Sequence, residues 1–188
     1  KIVNPKELEV RDSKNFVAVE DVEGKVQVTE RFRDVVMCWK QEVNLAILAC
    51  ENQENIHYAM PVRNMLYDAM NYSFQVEELG KKHRKIKDFK GDEFLSGFKK
   101  TDKVKPVFTL VIYWGTKEWD APRSLYEMLD IKAEILENIK GYLNDYKIHV
   151  IVPNEIENFE WFSTELGYCF RYIQASTEKT KLKKLIRD

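Results

Sequence analysis

Two apolar runs separated by a short polar break constrain this chain more than any other feature. The runs are "DVVMCW" (34–39) and "NLAILACENQ" (44–53), and "KQEV" lies between them. The first run is rich in β-branched and aromatic residues, and the second is apolar enough to be buried on both faces of a sheet. The pattern predicts a central hairpin of two strands.

The rest of the chain alternates between helical and strand patterns. Residues 1–30 are polar and mixed, and they predict a loop-rich lead-in with one edge strand. Apolar residues at helical spacing predict a helix from about Pro61 to the early 80s, with Gly80 near its end. Residues 81–105 are highly charged and predict a loop. The remaining patterns predict a strand ("PVFTLVIYWG"), a helix ("SLYEMLD…AEILENIKGYL"), a strand ("KIHVIVP") and a mainly helical end.

This order of elements predicts an α/β or α+β fold with a mixed sheet. With 188 residues, of which 44% are hydrophobic, the chain fits one domain with a substantial core. We therefore expect a single domain over 1–188. Within it, 1–30 form the lead-in, about 31–153 the core and about 154–188 a helical C-terminal part.

Cysteine content and charge bear on the surroundings of the protein. Cys38, Cys50 and Cys169 are scattered and form no C-x-x-C pair, which predicts reduced core thiols in a cytoplasmic protein. No apolar run approaches the ~20 residues that span a bilayer, and no signal peptide is evident, so we expect no membrane contact. The 30 basic and 31 acidic residues nearly balance, so any contact with nucleic acid must be local.

Two carboxylates lie at the outer ends of the predicted hairpin. Glu51 and Gln53 share one face of their strand because successive side chains alternate. If the loop consists of residues 41–44, Lys40 faces Leu45 and Asp34 lies opposite Glu51, with Cβ atoms ~4.5–5.5 Å apart. Two carboxylates this close repel each other unless a positive charge lies between them.

A divalent cation would relieve that repulsion. Mg²⁺ takes one or two carboxylates, keeps several waters and completes its shell with phosphate oxygen, so the pair suits phosphodiester hydrolysis. Gln53 could orient the attacking water or a phosphate, although an amide cannot take the proton. The alternative is that these strands end in polar residues simply because they reach solvent.

The predicted helix carries further polar residues. Arg63 and Tyr67 are four residues apart and share a face, which suits contact with a phosphate. The alternative is a solvated face with an Arg–Tyr packing pair. A second polar stripe contains Asp68, Asn71, Tyr72 and Gln75.

A long ordered string extends these observations: "RDVV…LAILACENQENIHYAMPVRNMLYDAMNY", then "EFLSGF", then "PVFTLVIYWG…WDAPRSLYEML". From about Arg33 to Leu129 this string resembles the recombination-promoting nuclease / putative transposase family of the PD-(D/E)XK nuclease superfamily. The resemblance implies a restriction-endonuclease-like core, a mixed sheet flanked by helices, and Mg²⁺-dependent cleavage of DNA, with Mn²⁺ as a substitute. It also implies a homodimer by analogy with relatives that cut both strands.

The resemblance also assigns roles to individual residues. Asp34 falls on the metal-binding Asp and Glu51 on the acidic residue of the (D/E)XK element, with the backbone carbonyl of Asn52 as a further metal ligand. Gln53 takes the place of the Lys in that element. Arg63 and Tyr67 match a helix motif that supports this site, and Gln75 extends it.

Two departures from the superfamily pattern keep a second interpretation open. Gln53 replaces the superfamily's catalytic Lys, although this family commonly carries Gln there. The N-terminal helix that usually begins the family has no counterpart before Arg31. The alternative is a nuclease-like module that binds DNA or a protein without turnover.

Other residues carry weaker signals. The basic stretches of residues 81–105 could follow a DNA backbone or could be a solvated charge run. Trp114, Trp119 and Trp161 could stack on bases, but core packing is the commoner role. His57 lies between strand and helix, where a proton-transfer role competes with a plain polar turn. His83 and His149 indicate only surface or strand positions.

Overall fold

A computed structural model describes residues 8–11, 14–20, 26–32, 35–39, 43–50, 56–162 and 165–187. Side chains are described from residue 56 onward, except at 161, 184, 186 and 187. The fold is mixed α/β. The strands are β1 (Leu8–Arg11), β2 (Lys14–Glu20), β3 (Val26–Phe32), β4 (Val35–Trp39), β5 (Val43–Cys50), β6 (Val107–Tyr113) and β7 (His149–Ile151). The helices are α1 (Met60–Ile86), α2 (Asp92–Ser96), α3 (Ala133–Ile139), α4 (Leu166–Ser176) and α5 (Lys179–Arg187).

The chain forms two compact units, each built from separated stretches of sequence. One unit contains residues 1–2, 47–64 and 109–188, and the other contains 3–46 and 65–108. The prediction of a single domain over 1–188 stays a prediction.

The strands fall into two sheets. One has the order β1-β4-β5-β6-β7, and the other pairs β2 with β3. β1 runs antiparallel to β4, with Leu8 opposite Trp39, whereas β6 runs parallel to β7, with Leu110 opposite His149. The larger sheet is therefore mixed, as predicted.

The first thirty residues contain more strand than the sequence predicted. β2 and β3 form an antiparallel hairpin from Lys14↔Phe32 to Glu20↔Val26, and β1 joins the larger sheet. The prediction of a loop-rich lead-in with one edge strand was therefore wrong. The short alternating pieces around Gly24 were the signal, because period-two alternation indicates strands that pair with each other.

Helix α1 begins where Pro61 predicted and continues past Gly80 to Ile86. The prediction that Gly80 lies near the helix end was wrong. Gly80 serves a close approach instead, because a Cβ atom there would lie 2.9 Å from the backbone oxygen of Gly97.

A Schellman motif ends α1. The N–H of Asp88 donates to the His83 carbonyl at 3.1 Å, and the N–H of Lys87 donates to the Arg84 carbonyl at 3.2 Å. Lys87 has a φ of 54°, the left-handed conformation that this motif requires and that glycine usually supplies. The helix stops here although its sequence remains helix-compatible.

The charged segment over residues 81–105 is partly helical, so the prediction of a plain loop there was wrong. Its first six residues complete α1, and α2 follows at Asp92. Gly97 ends α2 in the left-handed conformation, with φ 65° and its N–H bonded to the Glu93 carbonyl at 2.9 Å.

The unit that contains β7 has its core around the end of β6. Val111, Tyr113 and Phe170 are fully buried, and the ring of Trp119 meets that of Tyr113 edge to face at 5.4 Å. The predicted strands over 106–115 and 147–153 are confirmed, and the predicted helical end is confirmed by α4 and α5.

The segment "SLYEMLD" forms only a 3₁₀ turn, Tyr126–Met128, where a helix was predicted. Tertiary hydrogen bonds take its backbone donors: the N–H of Leu125 bonds to the Tyr146 carbonyl at 2.9 Å, and that of Tyr126 bonds to Asp145 Oδ1 at 3.1 Å.

Cys169 lies on α4 and is exposed as a free thiol, so its prediction as a core thiol was wrong. α4 turns Gly167, Phe170 and Ala175 toward the interior, and position 169 does not share that face. Among the helices that the structure describes, none combines the length and apolar character needed to cross a membrane.

Candidate functional site

The predicted metal ligands border the described strands. β4 begins at Val35, directly after Asp34, and β5 ends at Cys50, directly before Glu51. Asp34, Glu51, Asn52 and Gln53 themselves lie outside the described residues. The predicted loop over residues 41–44 was wrong, because β5 begins at Val43 and includes Asn44. The register that this loop implied, with Asp34 opposite Glu51, stays a prediction.

The connection between β4 and β5 fixes their relative direction. The two strands are neighbours in the sheet, and only residues 40–42 separate Trp39 from Val43. A parallel pair needs a crossover of a dozen or more residues, so this pair is antiparallel. The start of β4, at Val35, and the end of β5, at Cys50, therefore lie at the same end of the pair.

Nine residues separate the end of β5 from helix α1, which carries the predicted phosphate contacts. Arg63 is partly buried. Tyr67, one turn later, is 3% exposed. The intervening Asn64 is 1% exposed, and its Nδ2 donates to the Tyr146 hydroxyl at 3.0 Å. One face of the first turns of α1 is therefore packed against the interior, with Asn64 and Tyr67 on that face.

Gln75 is bound to the backbone of the segment that enters β6. Its Nε2 donates to the Lys105 carbonyl at 3.1 Å, and its Oε1 accepts from the Lys105 N–H at 2.6 Å. Gln75 also lies ~12 Å further along the helix axis than Tyr67, eight residues at 1.5 Å each. These bonds give Gln75 a structural role, and its part in DNA support stays a prediction.

Two further residues of the second polar stripe, Asn71 and Tyr72, take part in the same anchoring. Asn71 Oδ1 accepts from Gln75 Nε2 at 2.9 Å, and the Tyr72 hydroxyl accepts from the Val107 N–H at 2.9 Å. The stripe therefore holds the start of β6 to α1.

Tyr58, just before α1, was not predicted as a functional residue. Its hydroxyl donates to Asp120 Oδ2 at 3.1 Å, and this bond and the charge of Asp120 raise the pKa of Tyr58. Its neighbour His57 is exposed, and its carbonyl accepts from the Met60 N–H at 3.0 Å as the helix begins. A proton-transfer role for His57 stays a prediction.

The tryptophans behave as packing residues where their side chains are described. Trp119 is 8% exposed, and its Nε1 donates to the Ala121 carbonyl at 2.9 Å. The ring of Trp114 lies 5.3 Å from that of Phe170. The side chain of Trp161 lies outside the described residues.

His83 lies in a network of charged residues that the sequence did not predict. Its Nε2 donates to Asp102 at 3.0 Å, its Nδ1 lies 3.5 Å from Asp88 Oδ2, and its ring lies 5.2 Å from that of Phe89. Lys99 completes the cluster, which we call the His83 clasp: its Nζ bonds to Asp88 and its backbone N–H donates to Asp102 at 2.8 Å.

The clasp shifts the acidity of both carboxyl groups. The hydrogen bond from the Lys99 ammonium lowers the pKa of Asp88 below its ordinary 3.8. The backbone N–H of Lys99, and then the His83 ring, lower the pKa of Asp102 in the same direction. Both carboxylates are therefore stabilised in their charged form.

Within the part of the chain that the structure describes, no group of three or more His, Cys, Asp or Glu residues is arranged to hold a metal ion. Comparison with known proteins adds no relative: no family model, curated protein or solved structure matches the chain.

Proposed function

We propose that the protein is a Mg²⁺-dependent DNA endonuclease with a restriction-endonuclease-like core, of the recombination-promoting nuclease type. The observation that carries the proposal is the direction of β4 and β5. Because the start of β4 and the end of β5 lie at one end of an antiparallel pair, the residues next in sequence, Asp34 and Glu51, are suited to share a cation.

The helix that follows supports the same assignment. In the family that the sequence resembles, a helix after the acidic strand presents residues to the phosphate. Here α1 begins ten residues after Cys50 and has Arg63 and Tyr67 one turn apart. A guanidinium can bind two phosphate oxygens at once, and a tyrosine hydroxyl can donate to a third.

Asp34, Glu51 and the Asn52 carbonyl bind Mg²⁺ or Mn²⁺, which supplies an activated water and charge neutralisation at the phosphodiester. Gln53 orients the water through its amide, and Arg63 and Tyr67 hold the phosphate. The protein acts on DNA in the cytoplasm, as a homodimer where both strands are cut.

Nicking of supercoiled plasmid tests the proposal. We expect wild-type protein to nick DNA with Mg²⁺ or Mn²⁺ and to be inactive in EDTA. Asp34→Asn and Glu51→Gln should abolish nicking while thermal unfolding is unchanged. Glu54→Gln, which removes an acidic residue three positions on, is the matched control and should keep full activity.

Two outcomes would count against this assignment. Equal nicking by Glu51→Gln and Glu54→Gln would remove Glu51 from the site. Binding of DNA without strand breaks at every Mg²⁺ and Mn²⁺ concentration would favour the alternative of a module without turnover. Gln53 supports that alternative because an amide cannot accept the proton of the attacking water.

A further inference from the structure

A dense group of exposed cations surrounds the end of α1. We call residues 81–103 the basic arm. Eight of its cationic side chains are exposed, and Asp92 is its one exposed acidic residue. The exposed cations are Lys81, Lys82, Arg84, Lys85, Lys87, Lys90, Lys100 and Lys103.

The acidic residues of the arm are used in its internal structure. Asp88 and Asp102 belong to the His83 clasp, and the side chain of Asp102 is only 10% exposed. Glu93 Oε1 accepts from the Lys100 N–H at 3.3 Å. The side chain of Asp88 is 42% exposed but is paired with Lys99, which is itself largely buried. The exposed cations of the arm therefore outnumber its exposed carboxylates.

An ordered frame carries these cations. The Schellman motif fixes the end of α1, Gly97 caps α2, and the close approach of Gly80 to Gly97 joins the two helices. Binding by a preorganised surface costs less conformational entropy than binding by a flexible lysine tail.

Helix stabilisation does not explain the whole pattern. Cations in the last turn of a helix interact favourably with its macrodipole, which accounts for Arg84 and Lys85. Lys90, Lys100 and Lys103 lie beyond the last turn of α1, where that effect has fallen off.

We infer that the basic arm binds the phosphate backbone of duplex DNA by charge, without reading the base sequence. The inference deepens the proposed nuclease function and rests on it for the identity of the polyanion. From Lys81 to Lys85 the helix rises by ~6 Å, and phosphates along one DNA strand recur every ~3.4 Å along the axis, so several cations can be engaged at once. With a net charge of −1, the chain depends on such a local surface to hold DNA.

An anionic lipid surface is the competing partner for exposed cations. Phe94 and Leu95, on α2, are 67% and 87% exposed and could enter a lipid interface. Asp92 and Glu93 precede them directly in the same short helix. Insertion of Phe94 and Leu95 would carry these two carboxylates out of water, a desolvation cost that contact with DNA does not require, so the arm suits DNA better.

Binding of a 20-base-pair duplex, followed by fluorescence anisotropy in EDTA, tests the inference without cleavage. The arm variant is Lys82→Gln/Lys85→Gln/Lys90→Gln. The control, Lys117→Gln/Lys132→Gln/Lys147→Gln, removes the same charge from exposed lysines elsewhere. We expect affinity to fall at least ~10-fold for the arm variant and less than ~2-fold for the control. The slope of log affinity against log salt should become shallower by ~2–3, about 0.9 for each phosphate that the variant no longer neutralises.

Equal affinities and salt slopes for the two triple variants would overturn the inference. A second outcome would also overturn it: the wild type binds phosphatidylserine vesicles but not DNA, and Phe94→Ala/Leu95→Ala abolishes the vesicle binding.

Failure of the nuclease proposal can be distinguished from failure of the inference about the arm. If DNA binding depends on the arm but no metal supports nicking, the arm stands and the nuclease falls. If Glu51→Gln abolishes nicking while the arm variant binds and nicks like its control, the nuclease stands and the arm falls.

Discussion

His83 and Asp102 are nineteen residues apart in sequence and meet side chain to side chain, with Nε2 3.0 Å from Oδ1 and 3.1 Å from Oδ2. Because a carboxylate only accepts hydrogen bonds, this nitrogen is the donor. The pair joins the last turns of α1 to the far end of the basic arm. Lys99 and Asp88 extend the contact on both sides, so the segment is held by its own charged residues.

The His83 clasp should make stability sensitive to acid. The folded-state pKa values of Asp88 and Asp102 lie below 3.8, so the unfolded state binds protons more readily. The stabilisation is therefore complete above pH 3.8 and is lost as the pH falls through the folded-state pKa values. Urea unfolding between pH 6 and pH 3 should show this loss. Asp102→Asn should lower the midpoint at pH 6 and reduce the dependence on pH.

Asp130→Asn provides the control for that experiment, because Asp130 is exposed and lies outside the clasp. Its unfolding curve should follow that of the wild type at every pH. If Asp102→Asn and Asp130→Asn had the same midpoint and the same dependence on pH, the clasp would make no contribution to stability.

Gly80→Ala should destabilise the protein although alanine is the better helix former. Helix propensity alone favours alanine over glycine by ~1 kcal/mol. The added Cβ would lie 2.9 Å from the Gly97 oxygen, which belongs to the backbone and moves only with α2. We expect a net loss of ~1–2 kcal/mol in the free energy of unfolding. Ser73→Ala, at an exposed position of the same helix, should be neutral or slightly stabilising, and a stabilised Gly80→Ala would contradict the close approach.

Lys87→Gly should stabilise the protein. Lys87 has a φ of 54°, which costs a residue with a Cβ atom more than it costs glycine. After the larger entropy of glycine in the unfolded chain is subtracted, we expect a gain of ~0.5–1 kcal/mol. Lys85→Gly removes the same charge inside the last turn and should lose ~0.5–1 kcal/mol. Thermal unfolding of the two variants should shift in opposite directions, and shifts of the same sign would argue against the motif.

Gln75→Ala should cost ~1–3 kcal/mol, because it leaves the Lys105 N–H and carbonyl without their side-chain partner. Gln75→Glu keeps the acceptor for the Lys105 N–H but sets a carboxylate against the Lys105 carbonyl, so it should also destabilise. Denaturant unfolding measures both effects. If the Gln75 variants instead kept wild-type stability but nicked DNA more slowly, Gln75 would belong to the phosphate site.

The sequence predicted those elements whose periodicity is strong. α1 and β6 carry long apolar patterns, and both form where expected. The basic arm was mispredicted as a loop because its structure depends on tertiary contacts. Neither the partnership of His83 with Asp102 nor the approach of Gly80 to Gly97 leaves a periodic trace.

The residues of the candidate site likewise fall into those that sequence patterns suggest and those whose role depends on tertiary contacts. The acidic and amide residues around the hairpin were proposed from residue type and spacing, and their roles stay predictions. The structure does make β4 and β5 neighbours in the sheet, as a hairpin requires. Gln75 was assigned to the site through the family resemblance, as an extension of the helix motif that contains Arg63 and Tyr67. Its pairing with the Lys105 backbone became visible only once the start of β6 was positioned against α1.

The interleaved build of the two units has a consequence for synthesis on the ribosome. Residues 3–46 emerge well before their companions at 65–108, and residues 47–64 emerge well before 109–188. Neither unit can be completed by an early portion of the nascent polypeptide, and no single backbone cleavage would release one of them as an intact fragment. Partners so distant along the chain slow folding, because each must close a long loop first.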